Sequence, residues 1–166
     1  MKFDQSARNT YIDASALIKY LKYEDGSEQI VEFINNNVNL CVTSICMSEA
    51  LGALKAQSYN KQDPGYYPAV KKFMMLLFNG KFEIEDSNFH SNYDLIELID
   101  DYSNKFQLDF SDAMQLVTIQ HGKYSFLGPN SNSVFVSADK KLIKSARSLG
   151  IQTWDCLEDQ KPNFKT

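Results

Sequence analysis

The chain has 166 residues, of which 43% are hydrophobic, and a formal net charge of -4. These values suit one globular domain and exclude a disordered chain, which lacks the apolar residues for a core. A pI near 5.2 excludes a general nucleic-acid coat, which would be basic, but allows an enzyme that meets nucleic acid through an acidic metal site.

No apolar run reaches the roughly 18 residues of a membrane span. The stretch Met1 to Thr10 is polar and lacks the apolar core of a signal peptide. Three cysteines, Cys41, Cys46 and Cys156, make neither a disulfide framework nor a paired CxxC site, so a reducing, cytoplasmic location is expected. Arginine is limited to Arg8 and Arg147, which leaves phosphate contacts mainly to lysines.

In chain order, Asn9 to Asp13 reads as a short buried strand that delivers Asp13 to its C-terminal end. A helix opened by Ser15 runs to Lys22, with Leu17, Ile18 and Leu21 on one face. After the break at Glu24 to Ser27, Ser27 is the expected cap of a helix that turns Ile30, Val31 and Ile34 inward. Val38 to Thr43 is the second strand. Ser44 is expected to cap a helix through about Gln57, with Glu49 in its second turn. A turn-rich link with three tyrosines leads to a helix from Pro68, stopped at Asn79-Gly80, and Phe82 to Glu85 is a short strand. Residues 58–90 read as an elaboration of one domain spanning 1–166.

Asn92 to Phe106 is an amphipathic helix carrying Leu95, Leu98, Ile99, Tyr102 and Phe106 on one face. Asp112 to Gln120 is the next helix, with Ser111 expected at its N-cap, followed by a polar loop from Gly122 to Asn132. Ser133 to Ser137 lacks polar alternation, as a central strand covered on both faces should. Asp139 to Leu149 is the last full helix, Gly150 ends it, and Ile151 to Trp154 is a final strand before a polar tail. Strands alternating with helices predict an α/β fold, three α/β/α layers around a mainly parallel sheet.

Asp13, Asp112 and Asp139 each lie where a strand or link gives way to a helix, and Glu49 lies one turn into its helix. Parallel strands bring their C-terminal ends to one edge, so these acids can meet. Carboxylates gathered without partners repel, and a hard divalent cation such as Mg²⁺ or Mn²⁺ relieves that repulsion. The plainer explanation of Asp112 or Asp139 alone is a helix cap or dipole partner. It serves Asp13 less well, because Ser15 is free to cap, and Glu49 less well again, in a largely apolar helix.

The segments Tyr11-Ile12-Asp13-Ala14-Ser15, Ser48-Glu49-Ala50, Phe110-Ser111-Asp112-Ala113 and Val136-Ser137-Ala138-Asp139-Lys140-Lys141-Leu142 together resemble the four acidic motifs of PIN-domain ribonucleases, in the family's order. The similarity is greatest to the single-domain VapC-type toxins of toxin–antitoxin pairs. It implies metal-dependent cleavage of RNA phosphodiesters, a Mg²⁺ or Mn²⁺ cofactor, homodimers and an antitoxin partner. Carried over, Asp13, Glu49, Asp112 and Asp139 become the metal-site carboxylates, with Ser15 and Ser137 as supporting hydroxyls. The segment 58–90 is longer than in compact toxins of this kind.

Other residues have plainer explanations. Asp109 reads as a loop or capping residue, with support of the acidic site as the alternative, Asp100 and Asp101 as solvated, and Asp155 as surface, with the edge of the site as the alternative. His90 and His121 lie outside the acidic motifs. Cys41 and Cys46 read as small buried apolar residues. Tyr59, Tyr66 and Tyr67 with Lys61 suit base stacking or a packed flap, and Lys140, Lys141 and Lys144 suit phosphate contact or a solvated face. Two competing functions are a non-catalytic protein- or RNA-binding module and a phosphotransfer domain phosphorylated on Asp13. The second wants an Asp where Ser15 stands, and no Walker loop or GxGxxG is present.

Overall fold

The computed structural model describes residues 9–24, 26–61, 65–90, 92–125 and 133–158. Asp25, Pro64, the Lys61 side chain, residues 126–132 of the expected polar loop and residues 159–166 of the expected polar tail lie outside them.

The strands are β1 (Thr10–Ile12), β2 (Leu40–Val42), β3 (Phe82–Ile84), β4 (Val134–Ser137) and β5 (Gln152–Asp155). The helices are α1 (Ala14–Leu21), α2 (Glu28–Asn36), α3 (Ser44–Lys61), α4 (Tyr66–Phe78), α5 (Tyr93–Phe106), α6 (Phe110–His121) and α7 (Lys140–Ser148). All strand pairings are parallel, in the order β3-β2-β1-β4-β5. The chain therefore winds outward from β1 through β2 to β3, then crosses back to β4 and continues to β5.

Right-handed crossovers require that a reversal of winding direction change the face that the helices cover. The buried residues divide accordingly. Ile12, Leu40, Val42, Val134, Val136 and Trp154 meet α1 to α4 in one core. Tyr11, Cys41 and Phe135, at the alternate strand positions, meet α5 to α7 in the other. Three layers result, as the alternation of strands and helices predicts.

β2 is shorter than expected, and α4 starts before Pro68, which falls at its third position, inside the first turn where the missing N–H is harmless. Ala69 and Phe73 of α4 lie in the first core, and β3 is the edge strand beside β2. The expected caps need revision. Thr43 Oγ1, not Ser44, accepts from the Cys46 N–H at 3.1 Å. Ser27 makes no cap bond; its hydroxyl accepts from the Glu24 N–H at 3.0 Å and closes the turn before α2. Gly150 does end α7: at φ +78°, it lets its own N–H reach the Arg147 carbonyl and the Ile151 N–H reach that of Ala146. Among the described residues, no helix is long and apolar enough to cross a membrane.

Candidate active site

The winding reverses between β1 and β4, and in open α/β sheets the crevice at that point, past the strand C-termini, takes ligands. Asp13 follows β1 directly, and its N–H extends the ladder to the Val136 carbonyl at 2.9 Å. It is 4% exposed. Asp13, rather than Ser15, is the N-cap of α1. Its Oδ2 accepts from the Ser15 hydroxyl at 2.6 Å, the Ser137 hydroxyl at 2.7 Å and the Ser15 N–H at 3.3 Å. Its Oδ1 accepts from Gln115 Nε2 at 3.3 Å.

The two hydroxyls are themselves fixed. Ser15 Oγ accepts from the Ala138 N–H and Ser137 Oγ from the Asp139 N–H, both at 2.9 Å. Each hydroxyl has a single hydrogen, committed to Asp13, so the 3.2 Å approach of the two oxygens is proximity rather than a bond.

Asp139 is the N-cap of α7, and its Oδ1 accepts from the N–H groups of Lys141 and Leu142 at 2.7 and 3.0 Å. The capping explanation thus holds for one of its oxygens. It does not remove Asp139 from the cleft, because its charge is among those that raise the pKa of Asp112.

On α6 the expected order of cap and first turn is shifted. Asp109 is the N-cap and accepts from the Asp112 N–H at 2.9 Å. Ser111 lies inside the first turn instead, and its hydroxyl faces both Glu49 Oε1 and Asp109 Oδ1. Burial first, then the charges of Asp109, Asp13, Asp139 and Glu49, push the Asp112 carboxyl up to about 7. Glu49 as a residue is exposed, yet its carboxyl lies against α6. Loss of water there raises its pKa, helped by Asp109 and Asp13 and opposed by the Ser111 hydroxyl. Asp109 moves the other way, held down first by its bond from the Asp112 N–H and, last, by the nearby Lys141 cation.

The structure therefore brings Asp13, Glu49, Asp112 and Asp139 into one electrostatic neighbourhood. Among the described residues, though, no three acidic, histidine or cysteine side chains are placed to hold a metal ion as they stand. Cys46 lies beneath the acids, with its thiol donating to the Ile12 carbonyl at 3.2 Å. Burial and the charges of Asp13, Glu49 and Asp112 keep that thiol neutral.

Other residues fall as follows. Asp155 is buried rather than on the surface: at the end of β5, its Oδ1 accepts from the N–H groups of Leu157 and Glu158. Asp100, Asp101, His90 and His121 are exposed. Lys140 pairs with Glu158, and Lys141 Nζ donates to the Gln107 carbonyl, next to Asp109. Tyr59 and Tyr67 are exposed, while Tyr66 packs against the core. The sequence analysis missed Gln115 altogether and gave Ser111 the capping part that Asp109 plays, while its reading of Asp109 as a capping residue holds. The available signal for Gln115 was its spacing, three residues after Asp112 and so on the same helix face.

A doubly wound parallel sheet with clustered acids at its reversal point defines the class. The PIN domain profile matches residues 10–147, most of the chain. The protein belongs to the PIN domain family, whose fold generally serves nucleases that commonly use divalent metals. The crystal structure of PAE2754 from Pyrobaculum aerophilum superimposes with a TM-score of 0.59 at 19% identity, covering 89% of this chain and 90% of that one, a likeness of fold. Comparison with curated proteins gave no match.

Proposed function

We propose that the protein is a Mg²⁺- or Mn²⁺-dependent endoribonuclease and, on the resemblance of its motifs to VapC-type proteins, the toxin of a toxin–antitoxin pair. It would act on RNA in the cytoplasm, as a homodimer. The observation that carries this reading is the Asp112 carboxyl, raised to about 7 by burial and by four neighbouring acids. That crowding costs free energy until a cation or a proton relieves it.

The donor set fits a hard divalent ion. Asp13, Glu49, Asp112 and Asp139 offer only oxygen, and the thiol nearby stays protonated. These four acids would hold the ion, which when bound supplies Lewis-acid stabilisation of charge at a scissile phosphodiester. Ser15 and Ser137 orient Asp13 through Oδ2. Ser111 steers Glu49 toward α6. Lys141, beside Asp109, is the cation best placed to meet a phosphate arriving at the cleft.

The test is cleavage of single-stranded RNA with Mg²⁺, Mn²⁺ or EDTA by the wild type and by Asp13→Asn. Cleavage that needs the metal and disappears in a folded variant supports the assignment; full activity in the variant refutes it. Growth arrest on expression, relieved by Asp13→Asn, tests the toxin role. The second reading is a non-catalytic binding module; among the described residues, no three acids close on a common point as placed. Titration of Mn²⁺ separates the two, since a binding module would take up Mn²⁺ no better than any acidic surface.

A further inference from the structure

We propose that Gln115 is a positioning residue for the cation site, its amide fixing the plane of the Asp13 carboxylate. The inference rests on the cation-site reading above. Gln115 lies one turn beyond Asp112 on α6 and is 2% exposed. Its neighbours Leu116, Val117 and Ile119 are buried and apolar. An amide in such surroundings needs partners, and this one is half satisfied. Nε2 donates to Asp13 Oδ1 at 3.3 Å, while Oε1 is buried with no partner among the described residues.

Burying an acceptor unpaired is unfavourable, and a methionine of similar length would fill the space without it. The bond to Asp13 is what distinguishes glutamine from such a replacement. Its direction is also determined, because exchanging the amide nitrogen and oxygen would set two acceptors face to face. With Oδ2 held by the Ser15 and Ser137 hydroxyls, a donor on Oδ1 clamps the second oxygen. The carboxylate cannot then rotate about its Cβ–Cγ bond without losing bonds at both ends. Donors that orient ligands in this way typically change metal affinity by about 10- to 100-fold when removed.

The experiment is calorimetric titration of Mn²⁺ into the wild-type chain, Gln115→Met and Asp13→Asn, with thermal unfolding in EDTA as the control for folding. Gln115→Met should bind Mn²⁺ about 10- to 100-fold more weakly than wild type. Gln115→Asn keeps the amide but withdraws its nitrogen, should show the same loss, and serves if the methionine variant fails to fold. In the wild type, the Gln115 side-chain amide resonance should shift when Mg²⁺ is added. A role in packing alone predicts unchanged affinity in a folded variant, or an unmoved resonance while Mg²⁺ binds, and either overturns the proposal. Equal Mn²⁺ binding by wild type and Asp13→Asn would instead remove the cation site itself.

Discussion

Two turns in this protein are built on the same local plan and end in opposite electrostatic states. Asp13-Ala14-Ser15 opens α1 and Asp109-Phe110-Ser111 opens α6. In each, the aspartate is the N-cap and the serine hydroxyl two residues on bonds to it. Around Asp13, donors are in surplus: two hydroxyls, a backbone N–H and an amide converge on one carboxylate. Asp109 keeps the Asp112 N–H as a donor, but around the Ser111 hydroxyl acceptors are in surplus. The single Ser111 hydroxyl faces two carboxylates, and Asp112 stands one residue further along. The same capping turn thus anchors one acid firmly and leaves the others in want of a positive partner. The first arrangement suits a fixed ligand, and the second stores the repulsion that a cation would discharge.

The largest expected effect tests the donor-rich side. Asp13→Asn should lower metal-dependent RNA cleavage by about 10²- to 10³-fold, the range for losing one preorganised electrostatic contact, with far-UV circular dichroism unchanged. Activity at the wild-type level would show that the donors around Asp13 serve only the fold.

The acceptor-rich side should reveal itself in pH. Asp112 has a carboxyl raised to about 7 in the folded chain, against about 3.9 for an unperturbed aspartate. The native state therefore holds a proton that the unfolded state gives up, and the metal-free protein should lose stability as pH rises from about 4 to about 7. A cation must displace that proton, so Mn²⁺ affinity should rise by up to about tenfold per pH unit below 7, with proton release. Thermal unfolding in EDTA across this range, and calorimetry in two buffers of different ionisation enthalpy, check both. Asp112→Asn should flatten both slopes; slopes that persist in it would place the titrating group elsewhere.

Smaller effects sharpen the contrast between the turns. Ser137→Ala removes a donor from Asp13 and an acceptor from the Asp139 N–H at a fully buried position. It should cost about 1–3 kcal/mol in urea unfolding. Asp109→Ala removes an exposed cap and should cost about 0.5–2 kcal/mol. The same change removes a charge that raises Asp112, so the proton-release midpoint should move to lower pH.

Much of this was legible in the sequence. The unalternating run Val134 to Val136 marked a central strand, and it pairs with strands on both sides. Asp13, Asp112 and Asp139 stood where a strand or link gives way to a helix, with Glu49 a turn into its own, and a parallel sheet brings such places to one edge. Apart from Asp109, already read as a loop or capping residue, the caps were not legible, for a physical reason. Aspartate and serine cap helices about equally well, so Asp-x-Ser does not say which residue keeps the extended backbone. In both turns it is the aspartate, because the serine hydroxyl can then donate back to it. Asp155 was misplaced because a polar residue after a strand looks solvated until the turn that consumes its oxygen is seen. Gln115 was only faintly legible: its spacing puts it on the Asp112 face of the helix, but nothing near it in the sequence reports a contact to a residue 102 positions away.

The most direct measurement is the anomalous difference map of a crystal soaked in Mn²⁺. The account predicts a peak in the cleft bounded by Asp13, Glu49, Asp112 and Asp139, with Gln115 still donating to Asp13. A peak confined to other carboxylates, such as Glu83 in β3 and Glu85 just after it, or none in that cleft when Mn²⁺ is bound in solution, would contradict it.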